Sequence, residues 1–326
     1  MHRRFRVPRV RATVTVYQTV PVAVDLVSAV QRAGFADPAR VWLGLQSCGS
    51  VELTPQPLSQ PAYCASIGKQ LTAACLALTV QRGQLAEEDV IGSWVPGLPA
   101  WAQRVTISQL LHHASGLPSH AATFDVEGDQ PWTTDAALSF LRTADLQAPP
   151  GERYSYSGLG YVLLAQAVEK AAGERIEALA GRLIFGPLSM ADTRFWSGPG
   201  AQPPGSLPIP HPYPAPLSIG DGGLWSTVPD LLRWGSACNA DTLGITARIT
   251  RTAVLSDGTP NDYGWGARRV VVDGAVCWSH GGRWPGVTTK LIWVPDAKLV
   301  LAASADGDVD QINALANDVL REALAT

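Results

Sequence analysis

Long uninterrupted hydrophobic runs are missing from this chain of 326 residues. No stretch approaches the roughly 20 apolar residues that span a bilayer, so we predict no membrane-spanning helix and no membrane partner. The first eleven residues are basic, but an alternating stretch at residues 14–18 and then Asp25 follow them, instead of the apolar core of a signal peptide. We therefore expect a cytoplasmic protein in which residues 1–24 form a basic N-terminal segment.

Charge is also scarce, because charged residues make up 16% of the chain and the formal net charge is −3. Such a balance gives no electrostatic reason to expect nucleic acid as a partner. The five cysteines are odd in number and show no Cys-x-x-Cys spacing, which favours free thiols in a reducing compartment. Cys64 is interpreted as a small apolar filler.

Several catalytic signatures are absent as well. The sequence contains no Gly-x-Ser-x-Gly, which argues against an α/β-hydrolase. It has no His-Glu-x-x-His, and His112, His113 and His120 are too weak a set to predict zinc. Because no glycine-rich phosphate loop or dinucleotide fingerprint occurs either, we predict no cofactor and no metal.

The signals that are present place β-strands near both chain ends and helices in the middle. Strands are predicted at residues 40–46, 51–53, 264–273, 275–278, 288–294 and 299–303, and helices at residues 25–33, 70–82, 106–113, 134–142, 160–172, 177–185, 230–238 and 309–325. This order predicts an α+β fold with one antiparallel sheet built from both chain ends, flanked by helices, and a mostly helical region inserted between them. We expect a single domain over residues 25–326, with an α/β part at about 25–75 and 245–326 and a helical part at about 76–244. The dense prolines of residues 197–216 exclude helix or central strand there, so this long loop is a candidate pocket wall.

A Ser-x-x-Lys pair, Ser66 and Lys69, opens a helix that is predicted to be buried and to end at Gly83. One helical turn apart, the hydroxyl and the amine share a face at the helix N-terminus, where the local positive potential favours a developing anion. The alternative is a serine N-cap with a surface lysine, and this short pattern alone does not decide between the two.

Two further clusters carry chemistry-bearing side chains. Residues 154–161 contain Tyr154 and Tyr156, and a phenol near an amine can act as a general acid or base. Residues 278–283 contain His280, Gly281 and Gly282, where glycines would let a substrate approach the backbone. The alternatives are tyrosines that only pack and a Gly-Gly hairpin turn with an incidental histidine.

Together the clusters resemble the serine β-lactamase and penicillin-binding-protein superfamily, especially its class C-like and family VIII esterase branch. The resemblance runs from about residue 40 to residue 306. The matching stretches, in family order, are Ser66-Ile67-Gly68-Lys69, Leu110-Leu111-His112-His113-Ala114-Ser115-Gly116-Leu117, Tyr156-Ser157-Gly158, Gly222-Gly223-Leu224-Trp225-Ser226-Thr227 and His280-Gly281-Gly282. The resemblance implies a β-lactamase-like fold.

The resemblance also implies roles for individual residues. Ser66 is expected to be the acylated nucleophile, and Lys69 and Tyr156 are expected to share the general base and acid duties. The backbone N–H groups of Ser66 and Arg283 are expected to form the oxyanion hole. His280 is expected to line the site and to hydrogen-bond near Tyr156.

Other residues are expected to bind substrate or to support the fold. Gly281, Gly282, Gly158 and Trp284 complete the predicted substrate-binding set, and Trp132, Trp196 and Trp225 are also expected in loops near the pocket. His113, Ser115 and Gly116 are interpreted as supports of the fold. Gly158 departs from the family, whose lactamases and peptidases usually carry asparagine there to contact the substrate amide, and this departure favours an ester or other acyl substrate.

The predicted function is that of a serine hydrolase acting through an acyl-enzyme on a small ester, amide or peptide. Two alternatives remain. The same acyl-serine could pass its acyl group to an amine or alcohol, as in an acyltransferase or peptide cyclase. A catalytically retired relative could instead only bind an acyl or peptide ligand, although the intact Ser66, Lys69 and Tyr156 argue against this.

Overall fold

A computed structural model describes residues 24–54, 60–119 and 131–325 of the chain. The basic N-terminal segment, apart from its last residue, and His120 lie outside these ranges. Within the described residues, no helix combines the length and the apolar character that crossing a bilayer requires. All five cysteines are described, and each is a free thiol, as predicted.

A six-stranded antiparallel sheet forms the centre of the molecule. The strands of this sheet and of the smaller sheets of the molecule are, in chain order, β1 (Val41–Ser47), β2 (Ser50–Leu53), β3 (Ala62–Tyr63), β4 (Arg194–Phe195), β5 (Leu224–Ser226), β6 (Ala253–Val254), β7 (Pro260–Asn261), β8 (Arg268–Val272), β9 (Ala275–Trp284), β10 (Val287–Val294) and β11 (Leu299–Ala305). The large sheet has the order β2-β1-β11-β10-β9-β8, and a small sheet has the order β3-β5-β4. The central sheet therefore joins two strands from the start of the chain to four from its end, which confirms the predicted fold class.

Helices cover both faces of this sheet. They are α1 (Leu26–Arg32), α2 (Gly68–Gln81), α3 (Ile107–Leu111), α4 (Thr134–Leu141), α5 (Gly158–Ala172), α6 (Ile176–Ala180), α7 (Val228–Asn239), α8 (Thr246–Ile249) and α9 (Val309–Ala325). One apolar core packs α1 and α9 against one face. A larger core on the other face contains α7 and the fully buried residues of α2 and α5. The division into an α/β part and a helical part, with the boundaries given above, stays a prediction.

Two predicted strand boundaries are wrong. The strand predicted at residues 275–278 continues through both glycines to Trp284 as β9, and the turn falls instead at Pro285 and Gly286, which has a φ of +81°. The alternative of a Gly-Gly hairpin is therefore excluded. The strand predicted from residue 264 begins only at Arg268, because Gly266, also with a φ of +81°, turns the preceding loop tightly against the backbone of α2. Residues 197–216 contain no helix or strand, as their prolines predict.

Candidate active site

Ser66 stands at the entrance to α2. It lies in a 3₁₀ turn, Ala65–Ile67, that runs directly into the helix, and it is partly exposed between two buried neighbours. Ala65 has a φ of +45°, a left-handed conformation that costs a residue with a side chain about 1–2 kcal/mol. Strain of this kind is concentrated at functional sites. The turn at Ala65 is what redirects the chain from β3 into α2 and leaves Ser66 at the surface.

Lys69 is fully buried one turn further on. Its Nζ lies 3.3 Å from Ser66 Oγ and donates a hydrogen bond of 2.5 Å to the backbone carbonyl of Asp221. The same nitrogen is 5.1 Å from the centre of the Tyr156 ring. The alternative of an N-cap serine with a surface lysine is wrong, because the amine has no exposed surface and the serine hydroxyl is within its reach.

Asp221 reaches Lys69 because two backbones approach closely at α2. A Cβ atom on Gly68 would lie 2.8 Å from the carbonyl oxygen of Gly222, so only glycine fits at position 68 without displacement. The Asp221 carboxylate is itself buried and accepts a 2.8 Å hydrogen bond from the Ser218 hydroxyl. Burial raises the pKa of Asp221, and the nearby Lys69 opposes that shift. Sequence reasoning missed this residue, although it directly precedes the Gly222-Gly223-Leu224 motif.

Tyr156 lies in an aromatic cluster just before α5. Its ring centre is 4.4 Å from that of His113, 6.1 Å from that of His280 and 6.3 Å from that of Tyr263. The Tyr154-Ser155-Tyr156-Ser157 sequence would also allow Tyr154 to take this position, but the guanidinium of Arg268 lies over the Tyr154 ring, 5.0 Å from its centre. The register with Tyr156 beside Lys69 is therefore the one that the geometry favours. Gly158, two residues on, is buried as the first residue of α5.

His280 is held as a neutral imidazole. Its Nδ1 donates to the carbonyl of Gly281 over 2.7 Å, so its Nε2 accepts from the Tyr263 hydroxyl over 2.9 Å. Burial, assisted by the charge of Lys69, lowers the pKa of His280 to about 3. The resemblance led us to expect a hydrogen bond from His280 near Tyr156. In the structure the hydrogen-bond partner of the imidazole is the hydroxyl of Tyr263, a residue that no motif indicated.

The depressed pKa of His280 predicts a pH-dependent stability difference for His280→Gln. Below pH 6.5 the unfolded wild-type chain binds a proton at this histidine that the folded chain does not bind until about pH 3, so folding becomes less favourable as the pH falls. We expect the stability advantage of wild type over the variant to shrink by about 1.4 kcal/mol per pH unit between pH 6 and pH 4. Urea unfolding at pH 7, 6, 5 and 4 measures it, and a difference independent of pH would contradict a neutral His280.

Gly282 brings β9 against the turn that carries Ser66. A Cβ atom at this position would collide with the carbonyl oxygen of Cys64 and with the Thr289 hydroxyl, which itself donates a 3.1 Å hydrogen bond to Cys64. Among the described strands, β8 pairs with β9 only over Ala275–Ser279, so the segment with Arg283 extends past the end of β8. An oxyanion hole formed by the N–H groups of Ser66 and Arg283 stays a prediction that this proximity favours.

An apolar wall lies beside the turn that carries Ser66, and Ala65 of that turn belongs to it. Tyr63, Ala65, Ala215 and Trp225 form its buried part, with Trp196, Ile209 and Trp284 packed against it. Trp284 meets Tyr63 edge-on at 6.4 Å between ring centres and donates a 3.4 Å hydrogen bond to the Tyr213 carbonyl in the proline-rich loop. Trp225, predicted in a loop, is instead fully buried in β5, so it packs the wall and does not line a pocket. Trp132 contributes backbone, since its carbonyl accepts from Leu217 and Ser218.

Within the described residues, no group of three or more histidine, cysteine, aspartate or glutamate side chains is arranged to hold a metal ion. Cys64 is buried, and burial raises the pKa of its thiol to about 12, as suits an apolar filler. The candidate nucleophile of this cluster is the Ser66 hydroxyl, which lies 3.3 Å from the Lys69 amine.

Comparison with known proteins identifies the fold's family. The Beta-lactamase family profile matches residues 60–325. The chain belongs to the Beta-lactamase family. One relative is Penicillin-binding protein 4* of Bacillus subtilis, which is 30% identical to this chain over 302 residues. Another is a D-aminopeptidase of Cereibacter sphaeroides, which is 27% identical over 293 residues. The alignments cover 81% and 84% of this chain but only 65% and 55% of those longer proteins.

Solved structures give the same fold. A D-stereospecific amidohydrolase from Streptomyces sp. superposes with a TM-score of 0.75 at 22% identity, covering 89% of this chain and 98% of that chain. A D-amino acid amidase from Ochrobactrum anthropi SV3, complexed with D-phenylalanine, superposes with a TM-score of 0.74 at 23% identity, covering 92% and 99%. At these identities the likeness establishes the Beta-lactamase-family fold alone.

Proposed function

We propose that this chain is a serine hydrolase that forms an acyl-enzyme on Ser66. The observation that carries the proposal is the 3.3 Å separation between Ser66 Oγ and Lys69 Nζ, with the centre of the Tyr156 ring 5.1 Å from the same nitrogen. A nucleophile within hydrogen-bond reach of a buried amine, beside a phenol, is the arrangement that activates a hydroxyl for acyl transfer. The relatives' names, which include an aminopeptidase and an amidase, support hydrolysis as the outcome.

The proposed reaction proceeds in two halves. Ser66 Oγ bonds to the substrate carbonyl carbon while its proton passes to the pair formed by Lys69 and Tyr156. The tetrahedral intermediate then breaks its bond to the leaving group, which departs as an amine or alcohol with that proton. A water molecule attacks the acyl carbonyl and gives a proton to the same pair. The bond between the acyl carbon and Ser66 Oγ then breaks, which releases the acid, and the pair returns a proton to Ser66 Oγ. Backbone N–H groups of Ser66 and Arg283 would stabilise the oxyanion in both halves.

We propose a small amide or peptide with an apolar acyl residue as the substrate. The relatives named as D-aminopeptidase and D-amino acid amidase support an amide of a D-amino acid. The wall of Trp196, Ile209 and Trp284 supports an apolar side chain, since aromatic and aliphatic linings suit such groups. Gly158 offers no side-chain amide to the substrate and favours esters as the second class. The free thiols of the chain support a reducing, cytoplasmic location.

Transfer of the acyl group to an amine or alcohol remains the second candidate function, because the same acyl-serine serves both outcomes. Adding hydroxylamine or a D-amino acid ester during turnover and measuring the partition between acid and transfer product separates them. A dominant transfer product would assign a transferase.

Trapping the acyl-enzyme tests the proposed function. A panel of D- and L-phenylalanine amides, short-chain nitrophenyl esters and a chromogenic cephalosporin would be assayed for turnover, and acid-quenched samples would be analysed by mass. We expect turnover of at least one amide or ester, with the acyl mass on the tryptic peptide that contains Ser66. Acylation of any other residue, or binding of these compounds without turnover, would contradict the proposal, and the latter would favour a retired ligand-binding relative.

A further inference from the structure

We infer that His113 is a positioning residue that fixes Tyr156 beside Lys69, and this inference rests on the role proposed for Tyr156. The family-like stretch that contains His113 was interpreted above only as a support of the fold. Two hydrogen bonds and one ring contact of this histidine join it to Tyr156 and to the two residues that flank it.

His113 holds the backbone on both sides of Tyr156. Its carbonyl oxygen accepts a 2.8 Å hydrogen bond from the N–H of Ser155, and its Nδ1 accepts a 3.2 Å hydrogen bond from the N–H of Ser157. Its ring packs on the Tyr156 ring at 4.4 Å between centres, with 44° between the planes. One buried residue therefore fixes the backbone before the phenol, the backbone after it and the aromatic face itself.

Only a neutral imidazole can make this set of contacts. Because Nδ1 accepts a hydrogen bond from the Ser157 N–H, this nitrogen carries no proton of its own. Burial, together with the charge of Lys69, holds the pKa of His113 well below its usual range. The neighbouring His112 has the opposite arrangement, because its Nδ1 donates to the carbonyl of Tyr263 over 2.7 Å. The two adjacent histidines therefore carry their protons on different nitrogens, and it is the ring of His113 that packs on Tyr156.

Two features of His113 are costly for a residue that only fills space. Its φ is +53°, a left-handed conformation that histidine, asparagine and aspartate adopt more readily than other residues with side chains. Its Nε2, which must carry the proton, is buried and has no hydrogen-bond acceptor among the described residues. The rings of Tyr161 and Tyr263 lie 5.2 and 4.5 Å from its own. A lone buried donor is unfavourable, so the contacts that the ring makes with Ser157 and Tyr156 must offset its cost.

A pair of substitutions separates positioning from mere support. His113→Phe keeps an aromatic ring against Tyr156 and removes the acceptor for Ser157, so the phenol loses its backbone anchor. Displacement of a catalytic group by about 1 Å can cost about 100-fold in rate, and we expect kcat to fall by about 10- to 100-fold while KM changes less than about 3-fold. His113→Asn supplies an amide oxygen as acceptor and tolerates the left-handed backbone, so it should recover most of the lost kcat.

Trp101→Phe is the matched control. It removes a buried hydrogen bond, from the Trp101 indole to the Ala144 carbonyl at 2.9 Å, that involves neither Tyr156 nor a residue beside it in the chain. This substitution should lower the melting temperature and leave kcat within about 2-fold of wild type, because it changes none of the residues around Ser66, Lys69 and Tyr156. Activity is measured with the best substrate of the panel described above, at a temperature where every variant is folded by circular dichroism.

Three results with folded variants would overturn the inference. They are an unchanged kcat in His113→Phe, a change in the KM of His113→Phe without a change in its kcat, and a kcat in His113→Asn that is no higher than in His113→Phe. Wild-type protein that neither turns over nor acylates Ser66 would instead contradict the proposed function. The two failures are therefore distinguishable.

Discussion

Replacing Ser66 with alanine should lower kcat/KM by at least about 10⁴-fold, because the acyl-enzyme loses its only bond to the protein. The hydroxyl is partly exposed and its neighbours Ala65 and Ile67 carry the packing, so the variant should remain folded. A fluorophosphonate probe should label wild type on the peptide containing Ser66 and leave the variant unlabelled.

Ser108→Ala in α3 serves as the control for this experiment, because Ser108 is also a half-buried serine at the start of a helix but lies outside the site. It should retain wild-type turnover and labelling. Turnover by Ser66→Ala within about 10-fold of wild type, or labelling that survives the substitution, would exclude Ser66 as the nucleophile.

Replacing Gly282 with alanine should damage both the fold and the activity. The added methyl group would collide with the Cys64 carbonyl oxygen and the Thr289 hydroxyl, so β9 must move away from the turn that carries Ser66. Overpacking of this kind costs about 1–3 kcal/mol, and a shift of β9 also moves the proposed oxyanion donor at Arg283. We expect an unfolding free energy lower by about 2 kcal/mol or more and a kcat lower by about 100-fold or more.

Gly281→Ala is the matched control for stability, because a Cβ atom there would meet only the Thr289 carbonyl oxygen at 3.5 Å, an ordinary contact. Its unfolding free energy should stay within about 1 kcal/mol of wild type, as measured by urea unfolding. Equal destabilisation by both substitutions would show that the close packing at Gly282 does not hold β9 in place.

Much of the fold could be predicted from the sequence because its signals are local. The long helices α2, α5, α7 and α9 follow from their apolar patterns, and Asp273 and Gly274, with φ values of +48° and +85°, form the turn between β8 and β9. The motifs in family order predicted which segments converge, and Ser66, Lys69 and Tyr156 do meet around one amine.

The sequence did not predict features that depend on contacts between distant segments. His280 to Arg283 lie inside a strand because β10 pairs with them residue by residue, which overrides the turn preference of two glycines. Tyr263 and Asp221 belong to segments whose position is set by glycine contacts with α2, and no motif marks either residue as a partner of His280 or Lys69.

The burial of Lys69 has a consequence for how its hydrogens exchange with water. The chain has four lysines, and both Lys170 and Lys298 face solvent whereas Lys69 has no accessible surface. Dissolved buffer bases and amine-directed reagents can therefore touch the surface lysines but not this one. Exchange of its hydrogens with bulk water therefore passes through the groups that touch it, among them the partly exposed Ser66 hydroxyl.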